Sequence, residues 1–232
     1  MSRLEVQREL AREVEYVSNM ACGIRKKYSK KLMVKGGNCL LGITRYTNPT
    51  TRNNLCVVWT KDWNGHFNEI YSTVLIESIE NKKRNWVMAT SGSWGLDGKR
   101  DNYAIIYTQH ALERVKERAG LDFNAFLTEE SKTGFRNMAT TYEYNGVVSN
   151  AMALNDKGLF LFETHDWGII CKTFVSANLL GDNQTDKMAE SISGGLEYCE
   201  YMSKKIFNEV DDIYRGLNRE KRRKLAKITK VG

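Results

Sequence analysis

From residue 141 onward the chain reads as three β-branched or aromatic runs, "TYEYNGVV", "GLFLFE" and "WGIICKTFV", with "NDKG" and "THDWG" between them. Connections that tight suit neighbouring strands that reverse direction, so this stretch is predicted as an antiparallel meander. Helical sequence lies at both ends of the chain. Residues 3–20 set Val6, Leu10, Val14, Val17 and Met20 three or four apart, which stripes one side of a helix. From about Asp186 to Ile213, Met188, Ile192, Leu196, Cys199, Met202 and Ile206 recur at the same spacing.

Between these ends, "GG" at 36 and 37 interrupts the first helical pattern, and strands are predicted around Leu40 to Arg45 and Leu55 to Thr60. "IYSTVLIESIE" is ambiguous, because its β-branched content and its apolar spacing disagree. "NWVMATSG" reads as a strand end and "SGSWGLDGKRDN" as a loop. A short strand "YAIIY" then leads into a helix from near Thr108, followed by a second helical stretch, "DFNAFLTEESKTGF". The expected fold class is α+β, one domain over 1–232. A central twisted antiparallel sheet carries helices from the N- and C-terminal segments packed against it.

With 41% hydrophobic residues the chain can fill a core, while its net charge of +7 draws a polyanion. Two segments concentrate that charge. "IRKKYSKKLMVK" carries Arg25, Lys26, Lys27 and Lys30 among its six cations with no acid, and "RGLNREKRRKLAKITK" includes Arg222, Arg223 and Lys224. Each is either a solvated surface or a phosphate-binding footprint, and the second makes affinity fall steeply with salt. No apolar run approaches the roughly 20 residues of a membrane helix, and the charged start lacks the apolar block of a secretory signal. The five cysteines are odd in number, widely spaced and without a CxxC pair, as expected of reduced, buried thiols. A cytoplasmic protein without membrane contact is the expectation.

Only three histidines occur, and one opens "HALERVKERAGL". At 100° per residue from His110, Arg114 falls about 40° away and Arg118 about 80° away, on one face. Ala111, Leu112, Val115 and Ala119 cover the other. Thr108 is the expected N-cap, which puts His110 in the first helical turn, where the positive helix end favours a neutral imidazole. Interspersed Arg and Glu at this spacing is also how an ordinary exposed helix face looks.

The pattern His-Ala-x-x-Arg-x-x-x-Arg, formed by His110, Ala111, Arg114 and Arg118 with Gly120 after it, resembles the small RelE-like and BrnT-like nuclease toxins and their barnase, EndoU and colicin relatives. "KTFV" at 172–175 resembles their last strand. The likeness covers roughly 103–178, with Gly120 one place later than usual. The flanking extensions lack a counterpart in the small toxins: a helix and β-rich part over 1–102, and a helical part with a basic tail over 179–232. The resemblance implies a twisted antiparallel sheet, metal-independent RNA cleavage without a cofactor, and a possible protein inhibitor or antitoxin as partner.

Such cleavage needs a base for the ribose 2′-hydroxyl, an acid for the leaving oxygen and a cation beside the phosphorane. His110 is the expected base, Arg114 and Arg118 the phosphate clamp, and His165 in "ETHDWG" the acid. Lys172 and Thr173 add charge and a hydroxyl, although strand alternation is expected to put them on opposite faces. Tyr142 and Tyr144 suit core packing or base stacking, and His66 has no motif around it. A metal site that joins "HD" at 165 and 166 with His66 or His110 is a weaker alternative, and no Gly-rich phosphate loop, GxSxG or HExxH occurs. The non-enzymatic alternative is a basic protein that binds nucleic acid or another protein without cutting.

Overall fold

The computed structural model describes residues 3–28, 39–63, 68–80, 82–90, 103–132, 138–165 and 167–194. Two helices come first, α1 (Arg3–Ser18) and α2 (Ala21–Lys27). Five strands follow: β1 (Cys39–Thr47), β2 (Asn54–Trp63), β3 (Asn68–Glu80), β4 (Lys83–Thr90) and β5 (Tyr103–Tyr107). After α3 (Gln109–Ala119) and α4 (Phe123–Lys132) come β6 (Ala139–Tyr144), β7 (Val147–Ala153), β8 (Gly158–His165) and β9 (Gly168–Ser176). Residues 182–194 are helical. The fold is α+β, as its sequence implies.

The nine strands of the described residues form one sheet in the order β1-β2-β3-β4-β5-β9-β8-β7-β6. Two antiparallel meanders, β1 to β5 and β6 to β9, meet where β5 lies parallel to β9, Ala104 to Tyr107 pairing Gly168 to Cys171. The expected antiparallel sheet thus has one parallel seam, made possible because α3, α4 and the second meander carry the chain back to the starting end. At that seam Gly168 has φ 156°, and a Cβ there would stand 2.1 Å from the Ala104 carbonyl oxygen.

Alternation along each strand gives the sheet two apolar faces. On the front, Trp86, Met88, Ile105, Tyr107, Phe160, Phe162, Ile169, Cys171 and Phe174 pack with Ala111 and Val115 of α3 and Phe126 and Leu127 of α4. On the back, Leu10 and Val17 of α1 and Ile24 of α2 cover Leu41, Val57, Trp59, Val74, Val87 and Ala104. Further along the back, Met188 and Ile192 cover Ala151, Ala153 and Leu159.

Two local departures from expectation have physical causes. Val14 is exposed, while its neighbour Glu13 is buried. The Glu13 carboxylate accepts hydrogen bonds from Asn48 Nδ2 at 2.8 Å, Thr51 Oγ1 at 2.5 Å and Asn53 Nδ2 at 2.9 Å. A satisfied carboxylate that pins α1 to the β1–β2 turn thereby displaces an aliphatic residue from the stripe. "TYEYNGVV" is two strands, not one. Asn145 and Gly146 have φ 51° and 75°, and Tyr144 pairs Val147, so the Asn-Gly pair makes the tight hairpin turn its chemistry favours.

Candidate functional site

Thr108 starts α3 in the way its sequence predicts. Its backbone is extended, its Oγ1 accepts from the Ala111 N–H at 3.1 Å, and the same hydroxyl donates to the Cys171 carbonyl at 2.8 Å. One side chain therefore caps the helix and ties it to β9. The neighbouring Gln109 ties it to β4: its Oε1 accepts from Arg84 N at 2.8 Å, and its own N–H donates to Asn85 Oδ1 at 3.1 Å. Gly120, with φ 69°, closes the helix in the left-handed conformation.

With Ala111 and Val115 fully buried beneath the helix, His110 is exposed. The two arginines meet protein partners. Arg114 Nη1 lies 2.6 Å from Glu117 Oε2, an exposed pair one helical turn apart. Arg118 Nη1 donates to the Phe174 carbonyl at 2.6 Å. Because β5 ends at Tyr107 opposite Cys171, Phe174 lies beyond its reach, and Arg118 supplies a donor to β9 there. Arg118 thus reaches across β9, spent on a main-chain carbonyl.

His165, Lys172 and Thr173 are not brought to this helix. Phe160 and Phe162 face the front, so His165, an odd number of residues further along β8, faces the back. Its ring stacks on Trp167 with centroids 5.1 Å apart and planes 9° off parallel, and Trp167 packs in the cluster beneath α1 and α2. The buried His165 Nε2 has no hydrogen-bond partner among the described residues.

Lys172 and Thr173 share that back side, against the expectation from strict alternation. Leu161 pairs Thr173 and Phe162 pairs Cys171, which leaves Lys172 as the extra residue of a β-bulge. The bulge lets Cys171 and Phe174, three residues apart, both enter the front core. Thr173 falls opposite the back-facing Leu161, and Lys172 Nζ meets Glu163 Oε2 at 2.9 Å. The proposed base and acid of the sequence reading therefore stand on opposite faces of the sheet.

The remaining candidates scatter. Lys26 and Lys27 are exposed on α2, at the back, with Lys27 Nζ 5.3 Å from the Tyr28 ring centroid. The Arg25 side chain, Lys30, His66, Asp166, Arg222, Arg223 and Lys224 lie outside the described residues. Tyr142 packs on the back cluster of Ala151, Ala153 and Leu159, whereas Tyr144 is exposed. Cys56 and Cys171 are free, buried thiols, and burial pushes Cys56 up to about 11. Among the described residues no three His, Cys, Asp or Glu side chains group closely enough to hold a metal ion.

A front-side cleft of about 590 Å³ gathers residues that no local pattern singles out. It lies between β1, β4, α3 and α4. Trp86 and Phe123 stack with centroids 4.6 Å apart, and the Arg45 guanidinium lies 5.8 Å from the Trp86 ring and 5.5 Å from the Phe123 ring. Lys82, Arg84 and Lys116 stand at its margin. Arg45 shares the front face with Ile43 by alternation, the one local hint that a charged group is aimed at an apolar surface. A larger hollow of about 900 Å³, between the β6–β7 turn and the start of the 182–194 helix, is lined by Glu143, Asp182 and Asp186, with Lys187 its one cation among the described residues.

Compared with known proteins, the chain matches no family model, no curated protein and no solved structure.

Proposed function

We propose that this protein binds RNA through its positively charged surface and does not cut it. The observation that carries this reading is the separation of His110 from His165 by the sheet itself, with α3 on the front and the His165–Trp167 stack on the back. Metal-free transesterification needs a proton acceptor and a proton donor on either side of one phosphate, and no second histidine stands near His110 among the described residues. The two arginines that would clamp that phosphate are engaged by Glu117 and by the Phe174 carbonyl. What remains is a chain of net charge +7, with cations on the front cleft and on α2, suited to attract a polyanion.

RNA incubated with the protein in excess EDTA tests this reading. Retarded but intact RNA, unchanged in His110→Ala, is the expected result. Cleavage that persists in EDTA and disappears in His110→Ala overturns it and restores a nuclease built on His110. Absence of any complex at low salt overturns the RNA assignment itself.

A further inference from the structure

We propose that the cleft between β1, β4, α3 and α4 is the site for an unpaired nucleotide of single-stranded RNA. Its base lies on the Phe123–Arg45 surface and its flanking phosphates meet Lys82, Arg84 and Lys116. This rests on the RNA reading above and names the site and the strand state. A volume of about 590 Å³ falls within the usual range for small-ligand pockets, enough for one nucleotide unit.

The chemistry of the cleft is divided between floor and rim. The floor is made by Trp86, almost fully buried, with half-buried Phe123, Leu112 and Leu121. The rim carries Lys82, Arg84 and Lys116, all exposed, and the exposed Arg45 lies over the floor rings. A duplex presents phosphates and hides its base faces, so it can use the rim and leaves the floor wet. An unpaired base covers the floor while its phosphates reach the rim, and ring faces together with guanidinium planes are what proteins use to hold unpaired bases.

The two acids at the cleft are already engaged. Glu113 accepts from Gln109 Nε2 at 2.7 Å, and Asp122 accepts from the Ala125 N–H at 2.8 Å at the start of α4. Lys82 and Lys116 have no carboxylate partner among the described residues. Arg84 is held at Nε by Glu77 at 2.6 Å, which positions the guanidinium while 65% of the side chain stays exposed. Lys82 also holds φ 63° just before β4, a conformation glycine adopts at lower cost.

Fluorescence anisotropy of the full chain with a labelled mixed-sequence single-stranded RNA, and with the duplex of the same sequence, tests the proposal. The wild type is expected to prefer the single strand. The doubly substituted Lys82→Gln, Lys116→Gln chain, altered only at exposed side chains, is expected to bind about tenfold more weakly. Its salt slope should fall by about 1.4, at roughly 0.7 per lost phosphate contact. Phe123→Leu keeps the apolar contact of α4 and removes the ring, and should cost about tenfold on the single strand while leaving duplex binding unchanged. Wild-type affinity and salt slope in the double lysine variant overturn the site and leave RNA binding elsewhere on the chain. Equal or tighter duplex binding by the wild type overturns the unpaired-base assignment. No binding of either RNA overturns both this proposal and the reading beneath it.

Discussion

The Thr108 hydroxyl joins α3 to β9, accepting from the Ala111 N–H at 3.1 Å and donating to the Cys171 carbonyl at 2.8 Å. Removing it leaves a helix N–H without its cap and a strand carbonyl without its second donor. Thr108→Ala is expected to lower stability by about 1–2 kcal/mol, and Thr108→Ser to restore most of it. Urea unfolding of the three proteins measures both. An unchanged midpoint in Thr108→Ala shows that helix and strand are held together without this hydroxyl.

Arg114 and Arg118 look alike in sequence and differ in their partners. Arg118→Ala removes the donor to the Phe174 carbonyl and should cost about 1 kcal/mol. Arg114→Ala removes an exposed i,i+3 pair and should change stability by no more than about 0.5 kcal/mol. The reverse order in paired denaturation curves shows that Arg118 is not engaged by β9.

The two meanders meet at the β5–β9 seam, where Gly168 leaves no room for a side chain. Gly168→Ala puts a Cβ against the Ala104 carbonyl in a backbone conformation that L residues rarely adopt. A loss of about 3 kcal/mol or more, or failure to yield folded protein, is expected. Gly146→Ala, at φ 75° with open space around it, should cost only about 1 kcal/mol. Thermal melts that rank Gly146→Ala as the worse of the two contradict the seam.

Glu130 is buried on α4, and burial lifts its carboxyl to about 8, opposed by the hydrogen bond from the Tyr107 hydroxyl at 3.4 Å. In the unfolded chain this group ionises near 4.5, so between the two values the folded state holds a proton that the unfolded state has released. Stability is therefore highest below about pH 4.5 on account of this group, falls as pH rises, and flattens above about pH 8, with a slope near 1.4 kcal/mol per pH unit. Glu130→Gln should remove that component of the slope. Identical pH profiles of unfolding free energy in the two proteins contradict a carboxyl that stays protonated in the core.

Local pattern made much of the fold legible. The capping hydroxyl of Thr108 and the apolar side of α3 are decided within a few residues, and they stand as expected. β3 was ambiguous because its β-branched residues carry a helix-like apolar spacing, and pairing with both β2 and β4 settles it as strand. Asn145–Gly146 announced a hairpin that a run of β-formers on either side obscured. What local reading could not supply were relations between distant segments. The bulge at Lys172 depends on both front-core neighbours, Cys171 and Phe174, fitting under the helices. His165 and His110 are each plausible in isolation, and only the sheet's alternation shows that its thickness separates them. Arg45, Trp86, Lys116 and Phe123 come from four elements, so the cleft exists only once β1, β4, α3 and α4 are packed.

The most direct measurement is the fate of RNA held with the full chain in excess chelator, read on one gel for both complex and fragments. Histidines separated by a nine-stranded sheet predict a shifted, full-length RNA for the wild type, for His110→Ala and for His165→Ala alike. Fragments from the wild type that vanish in both single histidine variants would contradict the account, since two groups on opposite faces would then be serving one phosphate.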